Sequence, residues 1–192
     1  MDLSVLNPTQ IMVSLIIAAT PLLFAALGEL VVEKSGVLNL GVEGMMIVGA
    51  LGGFAAAFHT GSLGLAVLAG AGAGAAIAVV FGFLTQFLMS NQVATGLALT
   101  LFGLGAAAML GQGYAGQTLA VAPRCAIAGL AAIPGLGGFE ADLAALCRTP
   151  VAGPLLFNHD VLTYFSLFMV FAVWRFLSHS RAGLVLRAVG EN

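Results

Sequence analysis

The longest uncharged stretch of this sequence limits the fold more than any other feature. From Gly44 to Pro123, 80 consecutive residues contain no Asp, Glu, Lys or Arg. A second uncharged stretch, Leu3 to Gly28, covers 26 residues. A helix needs about 20 predominantly apolar residues to cross a bilayer, so the longer stretch has room for roughly three crossings joined by short turns.

The composition excludes most classes of water-soluble protein. Hydrophobic residues make up 60% of the 192 positions and charged residues 7%, and the mean hydropathy is +1.09. A soluble domain carries about 25% charged residues. Six Lys and Arg against eight Asp and Glu also leave no excess of positive charge for binding nucleic acid. We therefore predict a membrane protein, in contact with lipid and not with nucleic acid.

The predicted fold class is all-α, a polytopic transmembrane helical bundle that forms a single domain over residues 1–192. Recurrent Gly and Ala favour helices, because a membrane β-barrel would alternate over segments of about ten residues. The predicted spans cover residues 11–31, 44–58, 63–89, 93–113 and 161–177.

Stripes of small residues on the second and third spans predict close packing of each span with other helices of the bundle. Small residues that recur every four positions lie on one helix face and let two helix backbones approach. The stripes consist of Gly49, Gly53 and Ala57 on the second span and of Gly70, Gly74, Ala78 and Gly82 on the third.

The basic residues predict the orientation of the chain. Arg175, Arg181 and Arg187 cluster after the last span, which indicates that this end is cytoplasmic. Counting back through the spans places the N-terminus outside and Lys34 inside. Residues 114–160 then form an extracytoplasmic loop.

Two cysteines, Cys125 and Cys147, lie in the predicted extracytoplasmic loop. An oxidising compartment would permit a disulfide between them. The alternative is two free thiols that act as small hydrophobic side chains.

Residues 28–44 fit neither a plain loop nor a lipid-facing helix, because they hold four ionisable groups with apolar residues between them. Broken backbone at membrane depth is tolerated where it is buried in protein or lines a cavity. We predict either a broken helix that presents Asn39 and Glu43 to a translocation pathway, or a tight re-entrant turn at the cytoplasmic surface.

A second polar cluster, residues 90–96, joins the third and fourth predicted spans. Asn91 and Gln92 lie there either in a solvated hairpin turn or in a polar lining at the inner mouth of a pathway. Thr100, inside the fourth span, is predicted to form an interhelical hydrogen bond.

No known catalytic or metal-binding pattern is found in the sequence. It contains no H-E-x-x-H, no G-x-S-x-G and no G-x-x-x-x-G-K-[ST]. The spacing of His59, His159 and His179 does not suit the ligands of one metal ion. We predict no catalytic residue, no metal site and no cofactor in this chain, so that any ATP used would be bound by another chain.

Four sequence blocks, in order, resemble the permease subunits of bacterial ABC importers, in the branch that serves simple sugars, nucleosides and branched-chain amino acids. The blocks are SGVLNLGVEGMMIVGA at 35–50, NQVATGLALT at 91–100, IPGLG at 133–137 with GPLLF at 153–157, and SRAGLVLRAVGEN at 180–192. The first block is closest to the nucleoside-type permeases. The resemblance implies a permease subunit of the bacterial cytoplasmic (inner) membrane that forms the pathway for nucleosides or simple sugars.

The resemblance also implies a set of partners. These are a cytoplasmic ABC ATPase that carries ATP and Mg²⁺, a second permease subunit that is identical or paralogous, and an extracytoplasmic solute-binding lipoprotein. Residues 178–192 resemble the loop that docks on the ATPase. The residues predicted to couple the two proteins are Arg181, Gly183, Arg187, Gly190 and Glu191.

Within this docking loop, Gly183 would permit a sharp turn after the last span, and residues 184–189 would form a short amphipathic helix. Arg181 and Arg187 would meet acidic groups on the partner, although both also fit ordinary positive-inside anchoring.

Members of the resembled family continue beyond this block with further spans, so the resemblance predicts an N-terminal portion of a longer permease. Two other functions stay open on the residues alone. One is an ion-gradient-driven secondary transporter, for which Glu29, Glu33 and Glu43 are the available ion-coupling groups. The other is a non-transporting membrane fragment.

Overall fold

The computed structural model describes residues 8–119 and 159–190. Its helices are α1 (Pro8–Glu33), α2 (Val42–Thr60), α3 (Leu63–Gly82), α4 (Gln92–Leu110), α5 (Val161–His179) and α6 (Arg181–Gly190). A π-helical turn, Phe83–Phe87, continues α3, and a 3-10 turn, Gly111–Tyr114, continues α4. No β-strand occurs in these two described ranges, and the all-α prediction is confirmed.

Five helical stretches of the described chain are long enough and apolar enough to cross a membrane. They are Pro8–Glu33, Val42–Thr60, Leu63–Phe87, Gln92–Tyr114 and Val161–His179. Each coincides with one of the predicted spans to within a few residues. The prediction of a polytopic helical membrane protein is therefore confirmed.

Large apolar side chains are exposed on these helices. Leu68, Val79 and Leu101, for example, are 69%, 72% and 71% exposed. Apolar patches of this extent are rare on soluble monomers, because water around them drives association. In a bilayer the same side chains face lipid tails or neighbouring membrane helices.

The chain divides into two compact units. The described part of the first unit consists of residues 8–27 and 159–180. In this unit the hydroxyl oxygens of Thr20 and Thr163 lie 3.2 Å apart in a buried hydrogen bond. The rings of Phe24 and Phe165 pack with centroids 5.9 Å apart. Helices α1 and α5 thus combine a polar contact with an aromatic one, as expected for helices in lipid.

The described part of the second unit consists of residues 28–119 and 181–190. Here α2 and α3 meet through their small residues. A Cβ atom added at Gly49 would lie 3.0 Å from the carbonyl oxygen of Gly70, and one added at Gly70 would lie 3.0 Å from that of Gly49. A Cβ at Gly53 would lie 3.1 Å from the carbonyl oxygen of Ala66. The predicted close packing is confirmed for this part of the two helices, and the structure shows that each stripe packs against the other.

The stripe does not extend to the end of α3. Among the described residues, a Cβ added at Gly82 would have no heavy atom of another element within 4 Å, so the close packing seen at Gly49 and Gly70 is not found there. Two helices that cross at an angle stay in contact over only a few turns, and Gly82 lies beyond that stretch.

The chain reverses direction between α3 and α4 through a tight connection, residues 88–91. Met89 adopts a positive φ of 50°. The Ser90 hydroxyl donates a hydrogen bond of 2.8 Å to the Leu84 carbonyl and lies 2.9 Å from the Thr95 hydroxyl. Asn91 then caps α4, since its Oδ1 accepts a hydrogen bond of 3.0 Å from the Ala94 nitrogen.

Candidate functional site

The most unusual backbone of the second unit is the connecting segment, residues 34–41, which lies between α1 and α2. Helix α1 ends at Glu33, and Gly36 adopts a left-handed φ of 83°. Residues 37–39 then have no regular structure, and α2 begins at Val42. The chain thus breaks its helix at the point where the sequence combines glycines, charges and apolar residues.

Three side chains from outside the connecting segment hold its backbone. The Leu38 nitrogen donates a hydrogen bond of 2.8 Å to Oε1 of Gln92. The Asn39 nitrogen donates one of 3.1 Å to Oε1 of Glu29. The Leu40 carbonyl accepts one of 3.0 Å from the Thr100 hydroxyl. Backbone groups that have left a helix need such partners, because unsatisfied groups away from water are costly. We call these three side chains, Glu29, Gln92 and Thr100, the cradle.

Asn39 shapes the end of the connecting segment. It is 7% exposed, and its Oδ1 accepts a hydrogen bond of 3.0 Å from the Gly41 nitrogen. Its Nδ2 donates to the Met45 sulfur at 3.7 Å. Both polar ends of the Asn39 side chain are therefore engaged within residues 39–45, and they fix the turn that starts α2.

Helix α4 lies against the connecting segment and the start of α2 with almost no space between the backbones. A Cβ added at Gly96 would lie 2.9 Å from the backbone nitrogens of Leu40 and Gly41. A Cβ added at Gly103 would lie 2.7 Å from Cα and the carbonyl oxygen of Gly44. Only glycine fits at these two positions of α4 without a shift of the backbone.

The four residues predicted for a pathway or broken helix occupy different places. Asn39 lies in the connecting segment, and Gln92 accepts a hydrogen bond from its backbone. Asn91, in contrast, is the N-cap of α4. Glu43 lies in the first turn of α2, and its side chain is exposed. A carboxylate there is stabilised by the positive end of the helix dipole.

Two members of the cradle had no such role in the sequence prediction. Glu29 was named only as an available ion-coupling group for a secondary transporter, and Thr100 was predicted to bond to another helix. The prediction for Thr100 was wrong about the partner, because its hydroxyl bonds to the connecting segment and, at 3.2 Å, to the Gly96 carbonyl of its own helix. A polar residue inside an apolar span is the only sequence signal for either role.

The Glu29 carboxylate is only half satisfied. Its Oε1 accepts from the Asn39 nitrogen, and its Oε2 is buried without a hydrogen-bond partner among the described residues. One carboxylate oxygen of Glu29 thus holds the connecting segment, whereas the other accepts no hydrogen bond from the described residues.

The predicted coupling segment forms helix α6, which contains the expected short helix at residues 184–189. The expected role of Gly183 was wrong, because Gly183 is a buried residue inside α6. Helix α5 ends at His179, and Ser180, three residues before Gly183, interrupts the helical backbone with an extended ψ of 145°.

The last residue of α6, Gly190, touches the connecting segment. A Cβ added at Gly190 would overlap the Lys34 carbonyl oxygen and lie 2.7 Å from the Gly36 nitrogen. Arg181 is exposed at the start of α6, and Arg187 lies in its last turn. Glu191, Cys125 and Cys147 lie outside the described residues.

Another cluster lies at the opposite end of α2. Nε2 of His59 is 3.1 Å from the Tyr114 hydroxyl, and the Phe58 ring packs edge-on against Tyr114 with centroids 5.7 Å apart. No group of three His, Cys, Asp or Glu side chains that would hold a metal ion occurs within residues 8–119 and 159–190.

Three transport proteins are similar to most of this chain. A putative glucose ABC transporter permease protein (TsgC13) of Haloferax volcanii is 42% identical over 91% of the chain. The nucleoside ABC transporter permease protein NupC of Lactococcus lactis is 29% identical over 99% of the chain. The guanosine ABC transporter permease protein NupQ of Bacillus subtilis is 28% identical over 92% of the chain.

The chain spans 50%, 59% and 54% of the lengths of these three relatives. No solved structure matches it. A family described as the permease component of branched-chain amino acid transport systems matches residues 11–192. This match covers all but the first residues of the chain, so the protein belongs to that permease family.

Proposed function

We propose that this chain is part of the transmembrane permease of an ATP-driven importer of simple sugars or nucleosides. The observation that carries the proposal is the family match over residues 11–192, which takes in the five span-forming stretches of the described chain except for residues 8–10 of the first. The sequence has no ATP-binding pattern, so a separate ATPase subunit binds ATP and Mg²⁺ in this proposal.

The relatives' names supply two solute classes to test. The relative at 42% identity is named for glucose, and those at 29% and 28% are named for nucleosides and guanosine. The higher identity makes a hexose the first solute to assay, followed by a purine nucleoside.

The proposed orientation places the N-terminus outside and both the connecting segment and α6 on the cytoplasmic side of the inner membrane. Lys34, Arg181 and Arg187 then all lie inside, as the distribution of basic residues in membrane proteins favours. A second permease subunit completes the pathway, and an extracytoplasmic solute-binding lipoprotein delivers the solute.

Helix α6 is the proposed docking element for the ATPase. Its apolar side chains at Leu184, Val185 and Val189 are 51%, 62% and 69% exposed, and Arg181 is exposed at its first turn. An amphipathic helix with an open apolar face fits a hydrophobic groove on a partner protein. Arginine at its edge fits an acidic rim.

The pathway role is divided among the predicted residues. We assign Asn39 and Gln92 to holding the broken helix, because each bonds to backbone of the connecting segment. We assign Glu43 to the pathway, because its carboxylate is exposed in a helix that is otherwise apolar enough to span a membrane.

The first experiment is a pull-down from native membranes in mild detergent, with the endogenous protein tagged near its N-terminus and its intact mass recorded. The proposal expects an ATPase, a permease subunit and a solute-binding lipoprotein to co-purify. Arg181→Glu should weaken recovery of the ATPase, whereas Arg175→Glu, on α5, is the matched control.

The second experiment is uptake of labelled glucose and guanosine into cells with and without the gene. Uptake that stops on ATP depletion but continues when a protonophore collapses the proton gradient supports the importer. Uptake that follows the gradient, with no ATPase in the pull-down, would support a secondary transporter instead.

A further inference from the structure

The end of α6 and the start of the connecting segment meet backbone to backbone. A Cβ added at Gly190 would overlap the Lys34 carbonyl oxygen and lie 2.7 Å from both the Ser35 carbonyl carbon and the Gly36 nitrogen. A Cβ added at Gly36 would lie 3.2 Å from the Gly190 Cα. No flexible side chain separates the two backbones, so a displacement of one is passed directly to the other.

The connecting segment has little freedom to absorb such a displacement. Only one residue separates Gly36 from Leu38, where the bonds to the cradle begin. The turn before it is closed by hydrogen bonds from the Ser35 nitrogen to the Val32 carbonyl (3.0 Å) and from the Gly36 nitrogen to the Glu33 carbonyl (2.9 Å). Movement at Gly36 therefore reaches the cradle through a chain that is hydrogen-bonded at both ends.

The cradle and the connecting segment are joined directly to two membrane-spanning helices, α2 and α4. Gln92 and Thr100 belong to α4, and Gly41 directly precedes α2. The close contact of Gly44 with Gly103 joins these helices one turn further along. A continuous set of backbone contacts and hydrogen bonds thus runs from the last residue of α6 to the starts of α2 and α4.

We propose that Gly36 and Gly190 form the joint through which the ATPase, docked on α6, moves the connecting segment and with it α2 and α4. This inference rests on the proposed function, because it needs an ATPase that acts on α6. Both glycines are positioning residues: they contact neither solute nor nucleotide and act by keeping two backbones in contact. The break between α1 and α2 thus transmits movement from the ATPase to the membrane-spanning helices, in addition to any role in the pathway.

The test uses the full-length importer with its ATPase, reconstituted in lipid vesicles, and measures ATP hydrolysis and solute uptake in the same sample. Gly190→Ala forces the two backbones apart, so we expect ATP hydrolysis within about twofold of wild type and about tenfold less solute moved per ATP. Gly82→Ala, where a Cβ meets no other element of the described chain, is the matched control and should retain the wild-type ratio.

An unchanged ratio of solute to ATP in Gly190→Ala would overturn the joint while leaving the importer intact. A wild-type complex without ATP-dependent uptake would instead overturn the proposed function, and the joint with it. The two failures are therefore distinguished by the wild-type sample alone.

A second measurement needs no variant and covers the case in which Gly190→Ala fails to assemble. Hydrogen exchange of the wild-type complex is compared between the nucleotide-free state and a vanadate-trapped state. We expect the exchange of a peptide covering residues 34–41 to change between the two states. Identical exchange of this peptide, with a change in the ATPase itself, would contradict the proposal.

Discussion

The backbone nitrogen of Leu38 donates a hydrogen bond of 2.8 Å to Oε1 of Gln92, which lies 54 positions further along the chain. This bond joins the connecting segment to the first residue of α4. A polar side chain at the start of α4 thus supports the backbone of the segment that connects α1 to α2.

Removal of the Gln92 acceptor should loosen the connecting segment. Gln92→Leu leaves the Leu38 N–H without its partner, and a single hydrogen bond of this kind contributes about 0.5–1.5 kcal/mol. We expect faster amide exchange of a peptide covering residues 37–41. Gln92→Glu keeps an oxygen acceptor and should exchange at the wild-type rate. Equal exchange in Gln92→Leu and wild type would contradict this role.

Glu29 should act as a hydrogen-bond acceptor and not as a charge. Glu29→Ala leaves the part-buried Asn39 N–H unsatisfied, at a cost of about 1–3 kcal/mol. Glu29→Gln keeps the acceptor and removes a buried charge whose second oxygen has no partner among the described residues, so its stability should equal or exceed that of wild type. Thermal unfolding in detergent measures both variants. A loss in Glu29→Gln as large as in Glu29→Ala would show that the charge itself is needed.

Gly103 and Gly105 offer a matched pair on α4. A Cβ at Gly103 would lie 2.7 Å from backbone atoms of Gly44, whereas one at Gly105 has no atom of another element within 4 Å in residues 8–119 and 159–190. We expect Gly103→Ala to lower stability by about 1–3 kcal/mol, because backbone must shift. Gly105→Ala should be neutral or slightly stabilising, since Ala is the better helix former. Similar thermal midpoints for the two variants would argue against the close contact of α2 with α4.

The contact between α2 and α3 can be tested by comparing substitutions at two glycines of α3. Gly70→Leu places a bulky side chain against the Gly49 backbone, and Gly72→Leu places it where a Cβ meets no other element in the part of the chain that the structure describes. We expect the first variant to aggregate or to be degraded in membranes, while the second accumulates at the wild-type level. Quantitative immunoblotting of membrane fractions measures this difference. Equal levels of both proteins would count against the small-residue interface.

The proposed orientation predicts the side from which two exposed positions react. Thr60 lies at the end of α2 and Met89 lies between α3 and α4. In a protein whose Cys125 and Cys147 are replaced by Ala, we expect Thr60→Cys to react with an impermeant maleimide in intact spheroplasts. Met89→Cys should react only after the membrane is opened. The reverse pattern would place the N-terminus inside.

The sequence by itself determined the approximate bounds of the five membrane-spanning helices found in residues 8–119 and 159–190. This is possible because the length of an apolar run is a local property, and a bilayer of fixed thickness converts it directly into a span. The small-residue stripes of α2 and α3 could be predicted for a similar reason. Residues that recur every four positions lie on one face of a helix whatever its neighbour is. Gly82 shows the limit, because the spacing continues where the contact does not.

Only the tertiary structure decided what each polar residue near the helix break contacts. Asn91 and Gln92 are neighbours in sequence, yet one caps its own helix and the other reaches Leu38. The contact of Gly190 with Gly36 likewise joins residues from opposite ends of the chain. Such pairings depend on how distant segments are brought together, because a backbone group that leaves a helix takes whichever partner the fold places beside it.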